Sequence, residues 1–553
     1  MRKRWKVKEF TEKAKSLAKE LDLDPIIVQI LLNREIKEED FRFFLNPSPS
    51  SFFCPHLLPD IEIAIDRIKK AVRKGEKVSL FGDYDVDGIT SLAIFYDYIK
   101  NQPVETSFYI PHRLKEGFGL NKDAIKRIKR QGTNLLICFD CGTNSLEEIE
   151  LAKALGIDTI VVDHHQPKEG YNFPFAFINP KRKDSRYPFN NLSSAALTFK
   201  LVQALKQSSC LNLLDLVALS IVCDVVPLKG ENRALLKEGL KWLKRTNRLA
   251  LNVLCQTSGV KIENIDTFHL GYILGPRINA SGRVDSAKYA LEIFLTQDIV
   301  QARKLAYKLE EYNRLRRDIE NVVLREAEET LARDYGDFSA IVVHKEGWHH
   351  GILGIVASRL VDKYYRPTFV IGFEQQRGRG SARSIANFNL MEALGHCEQY
   401  LANYGGHKKA AGIEIFYKDV DGFKQRIGEV AKKLLSPQDL IPVLDIDLEI
   451  EFKDISLELA IALEKLKPFG EGNPLSLFLT RKVSVKQAPK LINSGMYSIW
   501  LTDSKYTYEA IFFERNEFLD LVNYGKDLDI VYALEENRFH NSVKLVLKDV
   551  RLH

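Results

Sequence analysis

The sequence predicts an α/β protein: a domain with a mostly parallel sheet, a long helical connector, a second α/β domain and a C-terminal β-barrel. Three observations carry this. Between residues 56 and 230, short apolar runs alternate with helical stretches, the pattern of a parallel sheet covered on both faces. The run Ile299 to Arg333 holds neither Pro nor Gly and would measure about 50 Å as one helix. Beyond about residue 440 the apolar runs become short and β-rich.

The size, 553 residues, suits three or four domains. Hydrophobic residues at 45% and charged residues at 28% are ordinary for a globular chain. A net charge of +6 and a pI of about 8.6 permit a nucleic-acid partner without requiring one. No apolar run is long enough to span a bilayer, and no signal-peptide core follows the basic start Met1 to Lys8. A cytoplasmic protein without membrane association is expected. The seven cysteines are odd in number and scattered, so they form no disulfide framework. Cys138 and Cys141 form a C-x-x-C that lacks the second pair a zinc site needs; they are two small residues at a buried strand end or a redox pair.

Residues 1–55 form an N-terminal helical segment. Glu12 to Leu21 and Pro25 to Leu32 have helical spacing, and Asn46-Pro47-Ser48-Pro49-Ser50-Ser51 breaks it. In the domain 56–230, helix Ile61 to Lys74 leads into a strand ending at Phe81. Further strands are expected at Thr106 to Ile110, Leu135 to Phe139, Thr159 to Val162 and Phe175 to Ile178. Helices Asn121 to Gln131 and Ser145 to Leu155 lie between them.

Phe81-Gly82-Asp83-Tyr84-Asp85-Val86-Asp87-Gly88 places three carboxylates between that strand and a helical run, Ile89 to Ile99. Loops at the carboxyl ends of strands are where open α/β sheets bind ligands. Asp85 and Asp87 share a side if the chain is extended, and carboxylates this close repel unless a cation lies between them. Hard oxygen donors favour Mg²⁺ or Mn²⁺. A polar loop capping the next helix is the alternative. The event repeats, however: Asp140 follows Leu135 to Phe139, Asp163-His164-His165 follows Thr159 to Val162, and Asp224 follows the apolar run Leu213 to Cys223. An acid after one strand is a cap; acids at four such ends are a convergent site. His164 adds a borderline nitrogen donor that suits Mn²⁺ as well as Mg²⁺.

Residues 231–337 read as a helical region and connector, whose Arg314, Arg316 and Arg317 face a nucleic-acid groove or solvent. Residues 338–435 form the second α/β domain, with strands Phe338 to Val343 and Thr368 to Gly372 and a helix Gly351 to Tyr364. There, Arg377-Gly378-Arg379-Gly380-Ser381-Ala382-Arg383-Ser384 joins guanidinium groups, hydroxyls and glycine-exposed amides, which suit a phosphate. Tyr404-Gly405-Gly406-His407 puts a histidine on a glycine turn. In 440–553, strand-like runs surround one helix, Leu457 to Leu466, and an OB-fold is the natural barrel. Tyr497, Trp500, Tyr506, Tyr508, Phe512 and Phe513 offer stacking faces for bases, half of them expected to be core.

Asp85-Val86-Asp87, Asp140, Asp163-His164-His165 and Asp224 resemble the successive motifs of the DHH phosphoesterases. The longer wording around Asp85, with Gly275-Pro276-Arg277-Ile278-Asn279-Ala280-Ser281-Gly282-Arg283, resembles the RecJ branch, single-stranded-DNA-specific 5′→3′ exonucleases. The resemblance covers roughly residues 40 to 550 in consistent order. It implies phosphodiester hydrolysis with Mn²⁺ or Mg²⁺, release of 5′-mononucleotides, and a role in DNA repair and recombination. Single-stranded DNA, a single-strand-binding protein and a helicase are the implied partners. Asp87, Asp140, His164 and Asp224 would make one metal site; Asp85 and Asp140 would hold a second ion, with Asp140 bridging. His165 and Asp83 would be catalytic, His165 at the scissile phosphate or the leaving group. Arg113, Arg277, Asn279, Arg283, Arg377, Ser381, Arg383, Gly406 and His407 would lie on the substrate side, and Arg113, Arg377, Ser381 and Arg383 would receive a 5′-terminal phosphate. The chain is expected to end with the barrel, without the further domain some relatives carry.

One position departs from the family. Many DHH enzymes have His four residues before the first metal-binding Asp, and here that place is Phe81. The second ion is therefore expected to have two protein ligands. The alternative activity is a DHH phosphoesterase acting on short oligonucleotides, dinucleotides or pyrophosphate, against which the barrel and connector favour a polymer. An inactivated binding relative would have lost ligands that are all intact here.

Overall fold

The computed structural model describes residues 3–168, 174–333, 338–493, 495–513, 516–522, 527–537 and 541–553; the expected end of the connector, 334–337, lies outside them. The chain divides into two compact units. The first comprises Phe53–Val226 and Leu235–Pro442, the second Lys3–Phe52, Pro227–Ala234 and Val443–His553.

In the first unit, five strands pair in the order Thr106–Tyr109, Val78–Gly82, Leu135–Phe139, Asp158–Val162, Ala176–Ile178, every pairing parallel. The central strands are buried on both faces, as their unbroken apolar runs require. Chain order reverses between Val78–Gly82 and Leu135–Phe139, which makes their carboxyl ends the topological switch point where such sheets bind ligands. Phe81 points into the apolar cluster of Leu120, Ile125, Leu136 and Cys138 and stacks on Tyr109 at 5.2 Å.

The run before Asp224 corrects the expectation of a strand end: Leu214–Cys223 is a helix, with Asp224 at its C-cap. It is apolar all round because it is buried, and periodicity cannot separate a buried helix from a buried strand. The connector is the single helix Ile299–Arg333, as expected.

The second sheet of this unit runs Asn403–His407, Ala410–Phe416, Arg377–Arg383, Thr368–Glu374, Ile341–Glu346. Arg377–Arg383 is thus an inner strand paired on both sides, and its glycine amides are not the free donors expected from the sequence. Gly378 and Gly380 serve packing instead: a Cβ there would lie 2.6 Å from the Phe373 ring and 2.7 Å from Ile413. The two-residue period sets Arg377, Arg379, Ser381 and Arg383 on the other face. Gly405-Gly406-His407 is likewise edge strand and not turn, the turn falling at Lys408 and Lys409. Gly406 has φ +151, and a Cβ would meet the Ala410 carbonyl at 2.4 Å, so only glycine fits.

In the second unit, Phe478–Asn493 pairs with both Met496–Thr502 and Leu528–Asn537, and the strands Thr507–Phe513 and Ser542–Leu552 complete a closed OB-type barrel. The N-terminal segment is no separate preamble. Its first strand, Arg4–Val7, pairs with Val443–Ile446, and Leu17, Ile27 and Phe41 share one apolar core with Phe478, Ile499 and Tyr532. Of the six barrel aromatics, Phe512 is buried, Tyr508 donates to the Ile455 carbonyl at 2.8 Å and Tyr497 stacks on Phe512 at 5.5 Å. Trp500, Tyr506 and Phe513 remain exposed.

Arg233 ties this unit together. It is fully buried, lies 3.9 Å over the Phe44 ring, and donates to the carbonyls of Phe44, Lys465, Lys467 and Pro468. Arg233→Met would leave these carbonyls unpaired in the interior. It is expected to lower stability by about 3 kcal/mol, read as a drop in the urea midpoint of the barrel's fluorescence transition. An unchanged midpoint would contradict this role.

Candidate active site

Gly88 sets how closely the acidic loop folds. A Cβ there would sit 2.4 Å from the Asp83 carbonyl oxygen, so only glycine lets the helix Val86–Ile99 start against the Asp83 backbone. Asp85 caps that helix, its Oδ1 accepting from the amides of Asp87 at 3.0 Å and Gly88 at 3.3 Å. Asp87 is buried at the N-terminus of Ser194–Lys206. It accepts from the Ser194 and Ala195 amides, each at 2.8 Å, and from Ser220 Oγ at 2.6 Å. Burial pushes Asp87 up to about 6, although these bonds oppose it.

Three further elements bring their groups to the same point. Asp140 leaves its strand with φ +61, and Val225, just after Asp224, has φ +56; such backbone in non-glycine residues gathers at functional sites. His164 Nε2 lies 3.4 Å from Asp140 Oδ1, 3.5 Å from Asp224 Oδ2 and 3.7 Å from Asp87 Oδ2. These are not ion pairs, because burial lowers His164 to about 3 and leaves the imidazole neutral. Burial, then the charges of Asp87 and Asp85, raise both Asp140 and Asp224 well above the usual carboxylate range.

Asp83 Oδ1, Asp140 Oδ1, His164 Nε2 and Asp224 Oδ2 are all buried without a hydrogen-bond partner. Interiors rarely leave such atoms unpaired. Donor separations of 3.4–3.7 Å are a little wider than the roughly 3.0 Å edge of an octahedron with bonds of about 2.1 Å, so a cation would draw the donors slightly together. The donors therefore fit a hard divalent cation. Asp87, His164 and Asp224 form one group whose ligand atoms lie within 4.8 Å of one another; Asp83, Asp85 and Asp140 form a second. Phe81 stays in the core, and Asp83 brings a third carboxylate within reach of Asp85 and Asp140.

Asp163 also lies within reach of Asp140 and His164, but its oxygens are committed elsewhere. They accept from the Thr143 amide at 3.0 Å, the His164 amide at 2.7 Å and His165 Nδ1 at 2.7 Å. Burial opposes ionisation of Asp163, yet the bond and charge of His165 hold it well below the usual range. In return, burial alone would lower His165, and Asp163 raises it. His165 is thus a partly exposed, cation-prone imidazole beside a neutral one.

The arginines sort into two groups. Arg113 lies 4.7 Å over the ring of Tyr84, which sits between Asp83 and Asp85 in the chain. Arg383 donates to Ser381 Oγ at 3.1 Å, and Arg283 to the Gly351 carbonyl at 3.3 Å. Burial, then the charges of Arg113, Arg316 and Arg383, push Arg283 down to about 9. Among the described residues, Arg113, Arg283 and Arg383 have no carboxylate partner. Mutually repelling guanidinium groups with no paired carboxylate are suited to an anion.

The other predicted substrate residues are placed differently. Arg277 is held by Glu310 at 2.6 Å, and Asn279 Oδ1 accepts from the Val86 amide at 3.0 Å, which braces the acidic loop. Arg377 pairs with Glu414 at 2.7 Å on the exposed end of its strand. His407 is exposed, and no hydrogen bond or ion pair among the described residues joins it or Gly406 to the acidic cluster. In the connector, Arg316 pairs with the buried Glu320 while Arg314 and Arg317 face solvent. Sequence reasoning missed Ser220, the Ser194 amide and Lys181. A serine cap before an apolar run was a readable signal for Ser193 and Ser194. Lys181, half-buried and drawn by the charges of Asp224 and Asp163, carried none.

A hard-cation site at a switch point beside an anion pocket defines a metal-dependent phosphoesterase. Residues 77–221 match the DHH family, N-terminal domain, residues 337–433 the DHHA1 domain, and residues 446–549 the RecJ OB domain. The single-stranded-DNA-specific exonuclease RecJ of Bacillus subtilis is 35% identical over 99% of this chain and 70% of its own length. That of Haemophilus influenzae is 30% identical over 91% and 92%. The crystal structure of Thermus thermophilus RecJ in complex with Mn²⁺ superposes with a TM-score of 0.84 at 25% identity, covering all of this chain and 80% of that one. The chain belongs to the RecJ family of single-stranded-DNA-specific exonucleases.

Calorimetric titration of metal-free protein with Mn²⁺ tests the ligand sets. Asp140→Asn is expected to weaken both ions, and Asp83→Asn the weaker ion alone, by about tenfold or more. Wild-type titration in Asp83→Asn would remove Asp83 from the site.

Proposed function

We propose that this protein degrades single-stranded DNA from the 5′ end by phosphodiester hydrolysis, releasing 5′-mononucleotides, with Mn²⁺ or Mg²⁺ as cofactor. The observation that carries this is the pairing of partnerless buried donors at the switch point with an arginine pocket on the same acidic loop, through Tyr84. Asp87, Asp140, His164 and Asp224 would hold one ion, and Asp83, Asp85 and Asp140 would hold the other. A bound divalent cation supplies Lewis acidity and lowers the pKa of water beside it. The chain's own residues do the rest. Asp163 accepts from His165 Nδ1 and favours the imidazolium, whose Nε2–H can then donate toward the scissile phosphate or the leaving 3′ oxygen. Arg113, Ser381, Arg383 and Arg283 receive the 5′-terminal phosphate and set the strand's first internucleotide bond at the metals. Asn279 and Asp85 position the loop and the helix start.

A long strand suits the exposed Trp500, Tyr506 and Phe513 of the barrel, which a dinucleotide substrate would not need. We assign 56–230 to the catalytic domain, 338–435 to the DHH-associated domain and 440–553 to the OB-fold. A role in repair and recombination, with a single-strand-binding protein and a helicase as partners, rests on family resemblance. No helix of the described residues is long and apolar enough to cross a membrane, and all seven cysteines are free thiols. A reducing cytoplasm suits the thiols.

Arg383→Ala separates an end-binding pocket from a general clamp. It is expected to lower kcat/KM about ten- to a hundredfold on 5′-phosphorylated strands and far less on 5′-hydroxyl strands, measured with end-labelled DNA and Mn²⁺. Equal losses on both would refute terminal-phosphate recognition.

A further inference from the structure

Next along the chain from the terminal-phosphate residues lies a groove of about 460 Å³, whose lining includes Leu114, Trp348, His350, Glu374, Arg377 and Arg379. Both walls of the groove are the chain continuations of the pocket's walls: Leu114 follows Arg113, and Arg379 and Arg377 follow Ser381 and Arg383 along one face of their strand. Arg379 Nη1 donates to the Leu114 carbonyl at 3.1 Å and joins the two walls. Among the described residues, Arg377 and Arg379 share one paired carboxylate, Glu414, at 2.7 and 3.5 Å, while Glu374, which also lines the groove, lies 3.7 Å from His350. From Arg383 to Arg379 the strand rises about 13 Å, a span that the two long side chains narrow from either end.

We propose that this groove binds phosphoryl groups beyond the terminal one, so that the enzyme accepts single strands with a 5′-di- or triphosphate. The proposal rests on the terminal-phosphate reading above. The α-phosphate takes the Arg113, Ser381 and Arg383 position, and the added phosphates extend toward Arg379 and Arg377, whose planar donors match them. The chemistry is unchanged. Water bonds to the first internucleotide phosphorus, the bond from that phosphorus to the 3′ oxygen breaks, and the oxygen takes a proton. The shortened strand keeps the phosphate as its new 5′ end. The first product is therefore a nucleoside 5′-triphosphate, and every later product is a mononucleotide.

The experiment compares 5′-triphosphate, 5′-monophosphate and 5′-hydroxyl versions of one oligonucleotide with full-length protein and Mn²⁺, resolving the first product by anion-exchange chromatography. Wild type is expected to release the nucleoside triphosphate, with KM no higher than for the monophosphate strand. Arg377→Gln combined with Arg379→Gln should raise KM for the triphosphate strand about tenfold or more. The same variant should leave KM for the monophosphate strand within about twofold, which also reports its folding. A wild-type enzyme that leaves the triphosphate strand intact, or a variant that weakens both strands equally, overturns the groove. Loss of wild-type preference for monophosphate over hydroxyl would instead strike the terminal-phosphate reading.

Discussion

Charge buried around one point is the constraint on which the first unit depends. Asp83, Asp87, Asp140 and Asp224 converge there with only a neutral imidazole among them. Removing carboxylates from water costs several kcal/mol each unless opposite charge replaces the lost hydration. Few protein groups do this here: the charge of Lys181 favours ionised Asp224, but burial lowers Lys181 itself. A divalent cation resolves the conflict, and the surrounding fold is arranged to keep the donors in place for it. The helix beginning at Ser194 points its amides at Asp87, Ser220 completes that shell, and Gly88 lets the acidic loop close against the helix it precedes.

From the same constraint comes a division of labour between adjacent histidines. His164 is buried, loses its charge and offers a lone pair. His165 is partly exposed, bonded to an ionised Asp163, and keeps a proton more readily. Environment, and not residue type, separates an imidazole able to ligate from one able to hold a proton. The arginines apply the inverse logic: like charges crowd Arg113, Arg283 and Arg383 together, and an anion would relieve them.

Much of this was legible in the sequence because the parallel sheet leaves a strong signal. Unbroken apolar runs marked the central strands, and an acid after each marked the ligand loops. The connector read cleanly from its lack of Pro and Gly. Legibility failed where burial erased periodicity or where pairing was long-range. The helix before Asp224 looked like a strand because every face of it is buried. The glycines of Arg377–Arg383 looked like a phosphate loop, whereas they make room for Phe373 and Ile413 in an inner strand. That the N-terminal helices belong with a barrel more than 400 residues away has no local sequence mark. That Asp83 lies within reach of Asp85 and Asp140 shows only in the folded loop.

The central claim is that a cation occupies the point where these donors meet. Anomalous scattering at the manganese edge from crystals grown with Mn²⁺ tests it most directly. The predicted result is a peak bounded by Asp87, Asp140, His164 and Asp224 at about 2.0–2.3 Å from each donor atom, with a second, weaker peak beside Asp83 and Asp85. Well-ordered crystals with no peak at that point, or with manganese bound only elsewhere, would contradict it.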